Sequence, residues 1–500
     1  MPDAIHLPES PGRSSIAFWL CIAFVFLVVV ALHGRTVPYG NEFIYLLRLE
    51  PGFLQNDWSF SQTASEHWLF NTIFSVPTRF VPVETVAWFG RVAFWIACLA
   101  ALFKLGRNWP IPVWAIALSI SLWLAFGQSV VNAEWIFGTF EAKVVAYACL
   151  LMALDGFARC KSVGPGMLLG LAFSFHPAVG LWAIPSVGIA MLVERRCAAD
   201  LAKIALLTFL FCLPGLIPLI VGHEGAVEAS AIDWEFVVKV HMPFHFDPFY
   251  FSKLGVGIVC LMGVFNAVAF WRVESFALRF LRNFQIAIGA CFLLGFLLRA
   301  FEIFPPLRFM PMRLFPILTP LFFLFTVFCV LQHLQRDGRR GMQMVVVLVA
   351  IGLIAPLNPL GEGLAHMRET RDSWRTHADD FETSLIWISQ HTPPDAVILS
   401  TPNHGKLWYL SKRAHVASYR YPRYERLIEW RRRISDLTGG VEITEREQAH
   451  SEIANGFDRL STEQILTIAQ KYAGTHLVTR TEYPFPVIFE TEQYRIYELR

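Results

Sequence analysis

The stretch "PGMLLGLAFSFHPAVGLWAIPSVGIAMLV", residues 165–193, decides how this chain is threaded. A membrane-crossing helix needs about 20 apolar residues, so 29 is long for one span and short for two. His176-Pro177 interrupts it near the middle. Proline lacks the amide donor and disfavours helical geometry in the residue before it, so a helix stops there. The stretch therefore reads as two short membrane helices that meet near His176 and leave by the face they entered.

Working outward, further apolar segments fall at 16–32, 86–103, 111–126, 144–158, 204–221, 254–271, 284–298, 314–331 and 342–356. Hydrophobic residues make up 55% of the 500 and charged ones only 16%, where a soluble chain carries about 25% charged. The expected class is a polytopic α-helical membrane protein with about 10–11 membrane helices. Residues 16–32 are followed by "HGRTVPYG" rather than a small-residue cleavage site, so an uncleaved first helix is expected. The net charge of +2 argues against nucleic acid as a partner. The nine cysteines are scattered singly, without a CxxC pair, and read as small core residues.

With residues 165–193 entering and leaving on one face, the connections alternate in basic content. One set holds Arg13, Lys104, Arg107, Arg159, Lys161 and their counterparts in later loops: 14 Lys/Arg in about 60 residues, against 9 in about 117 on the other side. The positive-inside rule then makes the N-terminus cytoplasmic. The loops at 33–85, 127–143, 222–253 and 299–313 face outward, with everything after residue 360. This places the protein in the plasma (inner) membrane as a multi-pass chain with an extracytoplasmic C-terminus.

Domains are expected at 1–360, transmembrane, and 361–500, soluble. The tail alternates short apolar strands (396–400, 414–418, 475–479, 486–490, 494–499) with helical stretches near 379–391, 422–436 and 461–473, the pattern of a small α/β layer structure. It contains no GxGxxG, GKT/S or nucleophile-elbow sequence, so nucleotide binding has no support.

The residues able to do chemistry cluster in the outward loops. "VPYGNEFIYLLRLEPGFLQNDWSFSQ", 37–62, carries Asn41, Glu42, Asn56 and Asp57. Its "NEFIYLLRL" reads as an interfacial helix with Phe43, Leu46 and Leu47 in lipid. Asp57 lies beside Trp58 and Phe60, an apolar setting that raises a carboxyl pKa and suits proton transfer. The alternative is that both acids cap helices. Glu134, Glu141 and Lys143 follow in the next outward loop, where a charge at a span's lip needs water or a partner. Asp155, nearer the inner face, reads as a helix-end charge beside Arg159. His176 at the helix break is a candidate for lining a cavity. His241, His245 and Asp247 invite a metal, but their spacing fits no standard zinc pattern, and a loop packing over a substrate channel explains them better. Arg308 and Arg313 stand at an outer boundary, where guanidinium groups bind lipid phosphate or simply snorkel.

Taken together, these features resemble the GT-C superfamily of integral membrane glycosyltransferases, which use polyprenyl-phosphate sugars. More narrowly, "YGNEFIYLL…NDW", "FEAKVVAYACLLMAL", "SFHPAVGLWAIP" and "SKRAHVASY…EWRRR" resemble an uncharacterised family of bacterial polytopic proteins. The GT-C resemblance implies a lipid-linked sugar as substrate and sugar transfer to an envelope acceptor. It implies Asp57 or Glu42 as base, and Arg308 and Arg313 holding the donor phosphate, with Asn41, Asn56, Glu141, Lys143 and His176 about the substrate. GT-C enzymes usually carry a double acid after the first helix, where this chain has Asn41-Glu42 and Asn56-Asp57, which leaves metal dependence open. A transporter or flippase, with a midplane site at the broken segment, and a non-catalytic scaffold of polysaccharide assembly are the alternatives.

Overall fold

The structure, a computed structural model, describes residues 15–50, 54, 56–60, 67–221, 230–420 and 426–499. Arg13, parts of the first loop and the beginning of the helix expected over 422–436 lie outside these. The chain begins with α1 (Ser15–His33), two short helices α2 (Glu42–Leu47) and α3 (Trp68–Phe74), α4 (Val83–Gly106), α5 (Val113–Ala125) and α6 (Ala142–Ala158). Then follow α7 (Val163–Phe175), α8 (Pro177–Val193), α9 (Ala198–Val221), α10 (Ala231–Phe236), a π-helix (Val237–His241), α11 (Pro243–Phe246), α12 (Lys253–Ala269), α13 (Phe276–Ala300), α14 (Leu314–Arg336), α15 (Arg340–Ile354) and α16 (Pro359–Ser373).

Among the described residues, six helices are long and apolar enough to cross a membrane: Ile16–His33, Val83–Gly106, Ala198–Val221, Phe276–Ala300, Leu314–Arg336 and Arg340–Ser373. Leu206, Phe209, Ile217 and Ile220 of α9 and Met344, Val345 and Leu348 of α15 are exposed. Apolar surface of this extent is not tolerated in water and is that of a multi-pass membrane protein. By contrast α6 is buried on nearly every side, and forms the axis of the bundle.

The break at His176 is present: α7 ends at Phe175 and α8 starts at Pro177. The two helices touch at Gly180, where a Cβ would come within 2.3 Å of the Phe173 Cα. Gly170 and Gly215 do the same work between α7 and α9, each lying against opposing backbone. Close approach through small residues is how apolar helices gain packing when lipid is as apolar as they are.

After α16 come α17 (Asp380–His391), β1 (Val397–Ser400), α18 (Leu407–Ser411), β2 (Ala414–His415), α19 (Leu427–Leu437), α20 (Arg446–Asp458), α21 (Thr462–Tyr472), β3 (His476–Thr479), β4 (Val487–Glu490) and β5 (Arg495–Glu498). The sheet order is β2-β1-β3-β5-β4, with β1 parallel to β2 and β3, and β5 antiparallel to β3 and β4. The five expected strands thus occur, the second shortened to Ala414–His415 of the expected 414–418.

One expectation is overturned in the first loop. Leu46 and Leu47 do not lie in lipid: they are buried, at 0% and 2% exposure. Phe43 packs edge-on against Tyr409, 5.4 Å between ring centres. The C-terminal part of the chain covers α2, and this cover makes it an internal helix.

Candidate functional site

Loop 127–141 is built as a rigid scaffold. Gly127 and Gln128 take left-handed backbone (φ +89° and +70°), which turns the chain sharply after α5. The Gln128 Oε1 accepts from the amides of Ile136 (2.7 Å) and Phe137 (2.8 Å), and its Nε2 donates to the Phe137 carbonyl (2.8 Å). Asn132 donates to the Met312 carbonyl (3.2 Å), tying this loop to the start of α14. Two hydrogen-bonding side chains thus fix the loop that carries Glu134 and Glu141.

What the scaffold holds is a buried charge cluster. Lys143 Nζ lies 3.6 Å from Glu141 and 3.9 Å from Glu134, and 3.5 Å above the centre of the Trp135 ring. Arg313 Nε lies 3.4 Å from Glu134 Oε2, and its guanidinium reaches the His176 ring at 3.1 Å. Thr139 donates to Glu141 (2.6 Å). His67 stacks on His176, 4.9 Å between ring centres, and meets the Tyr45 hydroxyl at 2.9 Å. Tyr147 packs beside Glu134. All four charged side chains are at most 7% exposed.

In such a setting Coulomb energies are several times those in water, and burial without full pairing is costly. Yet Glu134 Oε1 and Arg313 Nε complete no hydrogen bond. Buried polar atoms in that condition are uncommon and ask for an explanation. Burial pushes the Glu141 carboxyl up, with Lys143 and Thr139 pulling the other way. A carboxyl raised in this way holds a proton more tightly than one in water.

Of the residues singled out in the sequence, Glu141, Lys143, His176 and Arg313 therefore come together with Glu134. Others do not. Glu42 is wholly buried and chelated by Arg91, which donates from Nε to Oε1 (2.6 Å) and from its terminal nitrogen to Oε2. The amides of Phe140 (2.5 Å) and Tyr39 (3.0 Å) complete the carboxylate's shell. Asp57 is equally enclosed: Oδ1 accepts from the Ser59 amide (2.7 Å) and hydroxyl (2.6 Å), Oδ2 from Trp408 Nε1 (2.7 Å) and the His415 amide (3.0 Å). Burial raises its carboxyl, and these four donors oppose the rise. As placed, neither acid offers an oxygen to a substrate. Both are anchors, Glu42 of the 127–141 loop and Asp57 of the C-terminal domain.

Asn41 precedes α2, half-buried and without a side-chain capping bond, and Asn56 is exposed. Arg308 turns away to lie over Trp234, 5.1 Å from the ring centre. The three metal candidates make separate contacts: His241 Nε2 meets the Tyr419 carbonyl (2.6 Å), Asp247 pairs with Arg299 (3.0 Å), and the charges of Arg313 and Lys143 act on His245. His241 ends the π-helix, Pro243 starts α11 with His245 in it, and Asp247 follows that helix, so the three belong to different local elements. In the charge cluster, the Lys143 ammonium stands between the two carboxylates where a divalent ion would have to sit, so these residues do not fit a metal. Among the described residues, Asp379, Glu382 and His404 have ligand atoms within 4.8 Å of one another, but Lys406 already binds Glu382 and Asp379 caps α17.

His67, Tyr45 and Tyr147 went unread in the sequence. His67 lies in a polar run with no periodicity, and nothing local marks it as reaching the break at Phe175, whose carbonyl it meets at 3.3 Å.

Residues 379–437 match the model of a domain of unknown function (DUF6798). No curated protein matches the chain. Among solved structures, the crystal structure of the Archaeoglobus fulgidus oligosaccharyltransferase, in complex with Zn and sulfate, is similar at a TM-score of 0.53. The two share 12% identity over 92% of this chain and 67% of that one. The likeness is one of fold alone.

Proposed function

We propose that this protein is a membrane glycosyltransferase that moves a sugar from a polyprenyl-phosphate donor to an envelope acceptor at the outer face. The observation that carries the reading is the buried Glu134–Lys143–Glu141–Arg313–His176 cluster on a GT-C-like fold. The skew of Lys and Arg toward one set of connections supports the orientation.

In this reading Arg313 and Lys143 meet the donor phosphate and neutralise the charge that grows on it as the sugar–phosphate bond breaks. Glu134 holds both cations in place. Glu141, the carboxyl raised by burial, takes the proton of the acceptor hydroxyl as the new glycosidic bond forms. His176 and His67 support the Arg313 guanidinium from the other side. Glu42 and Asp57, the acids nearest the position of the usual double acid, are given no chemical step in this reading, because both are held by partners within the protein.

The test is release or transfer of sugar from a panel of polyprenyl-phosphate sugars by the purified protein. Glu141→Gln is expected to lose about 10²–10⁴-fold in rate with folding intact. Full activity in that variant rules out Glu141 as base. A second reading, a lipid-linked substrate carrier, is favoured by the break between α7 and α8, which leaves His176 inside the bundle. Movement of donor across vesicles without sugar release would support it.

A further inference from the structure

A cavity of about 630 Å³, lined by no residue of the charge cluster, lies between the segment 232–240 and residues 430–444 of the C-terminal domain. Its volume falls within the range of small-molecule sites, roughly 300–1,000 Å³. Its walls come from two parts of the chain that are far apart in sequence. One is α10 with the π-helix Val237–His241 that continues it. The other is α19 and the turn after it, where Gly439 and Gly440 adopt left-handed backbone (φ +65° and +82°) and send residues 441–444 back across the opening. Helical turns of the i→i+5 kind are rare and are frequently found at functional sites.

The lining has two characters. Val240, Trp430, Ile434 and Ile443 supply an apolar floor. Glu235, Lys239, Arg431 and Glu442 supply polar walls of both signs. The two cations are already matched: Lys239 lies 2.5 Å from Glu235 and 3.9 Å from Glu302, and Arg431 lies 2.6 Å from Asp233. With four carboxylates about two paired cations, the groove repels polyanions. Sugar rings present apolar C–H faces and hydroxyl edges, and paired charges of both signs offer donors and acceptors to the latter. The same segment runs on from the groove to His245, near enough to the charge cluster for the charges of Arg313 and Lys143 to act on its ring.

We infer that this groove binds an uncharged glycan and is the acceptor subsite of the enzyme proposed above. The inference rests on that reading for the word acceptor, and on the groove alone for glycan binding. Two measurements on the full-length protein in detergent keep these apart. The first is binding of neutral hexasaccharides (maltohexaose, cellohexaose, chitohexaose) and of hexagalacturonate, followed by Trp fluorescence and by saturation-transfer NMR. The second is donor-only hydrolysis of polyprenyl-phosphate sugars.

Wild type is expected to bind at least one neutral hexasaccharide and to bind hexagalacturonate at least tenfold more weakly. Val441→Trp, which fills the groove from an exposed position at its lip, is expected to weaken neutral binding at least tenfold while donor hydrolysis is unchanged. Glu442→Gln, which alters one wall without adding bulk, is expected to weaken it about threefold or more. Preference for the anionic chain, binding by none of the neutral ones, or equal binding by Val441→Trp overturns the glycan site. Binding that obeys these expectations in a protein without donor hydrolysis keeps the glycan site and rejects the enzyme.

Discussion

Glu42 and Arg91 form the most completely enclosed ion pair in the bundle, both side chains at 0% exposure. Arg91 also donates to the carbonyls of Arg35 (2.5 Å) and Thr36 (3.0 Å), so the pair holds the exit from α1 as well as the amide of Phe140. Removing one member leaves a buried charge uncompensated. Arg91→Met is expected to cost about 3–5 kcal/mol, read as a fall in the unfolding midpoint in detergent, and Glu42→Leu added to it should recover part of the loss. Asp57 makes the contrasting case. Asp57→Asn sets an amide donor against two of the four donors now facing the carboxylate, at a cost of about 1–3 kcal/mol. The expected result is faster proteolysis at the C-terminal domain with donor hydrolysis per folded molecule unchanged. An Asp57→Asn protein that folds normally but has lost hydrolysis would return the catalytic role to that acid.

At the scale of elements, the meeting of α7 and α8 controls where His176 stands. Gly180→Leu places a side chain where the Phe173 backbone already is, so one helix must move; about 1–3 kcal/mol or more is expected, together with loss of activity as His176 leaves Arg313. Gly188→Leu in the same helix meets nothing within 4 Å and serves as the matched control. A destabilised control would mean that bulk anywhere in α8 is harmful, and not contact at the break. This break was legible because proline acts locally, and the five strands were legible because short apolar runs between helical stretches can be read locally too. The inward turn of Leu46 and Leu47 was not, since an amphipathic helix looks the same whether lipid or a distant domain covers it. Nor was the job of Asp57, whose partners Trp408 and His415 are about 350 residues away in sequence. The charge cluster was half legible: charges at span ends stand out in an apolar sequence, while His67 and Tyr147 acquire meaning only when the helices assemble.

For the whole molecule, the C-terminal domain is fastened to the helical part by polar contacts at several places. Asp57 bonds Trp408 and His415, Arg426 donates to the Trp58 carbonyl (3.1 Å), and Arg446 to that of His241 (2.5 Å). This fastening requires the domain to share a side with loops 33–85 and 222–253, so a reporter fused after Arg500 and one inserted near Pro77 should report the same compartment. Two of the imidazoles at the junction are buried: burial lowers His415 to about 3 and His241 to about 4. Each is near 6.5 in the unfolded chain, so the folded state excludes a proton that the unfolded state binds. Their stabilising contribution is full above pH 6.5 and is lost as pH falls from there toward 4 and then 3. The domain should therefore loosen progressively below pH 6.5, measured as the rate of proteolysis within 379–437 against pH. His415 hydrogen-bonds Ser411 (2.8 Å) and the Ser400 hydroxyl (3.4 Å) through its ring, so His415→Gln keeps polar contact without a titrating group. The variant is expected to start less stable yet show a shallower pH dependence. Asp57, raised by burial, titrates with the opposite sign, but it is present in both proteins and cancels in the difference between their slopes. Equal slopes would mean that the imidazole at β2 does not govern how the domain is held.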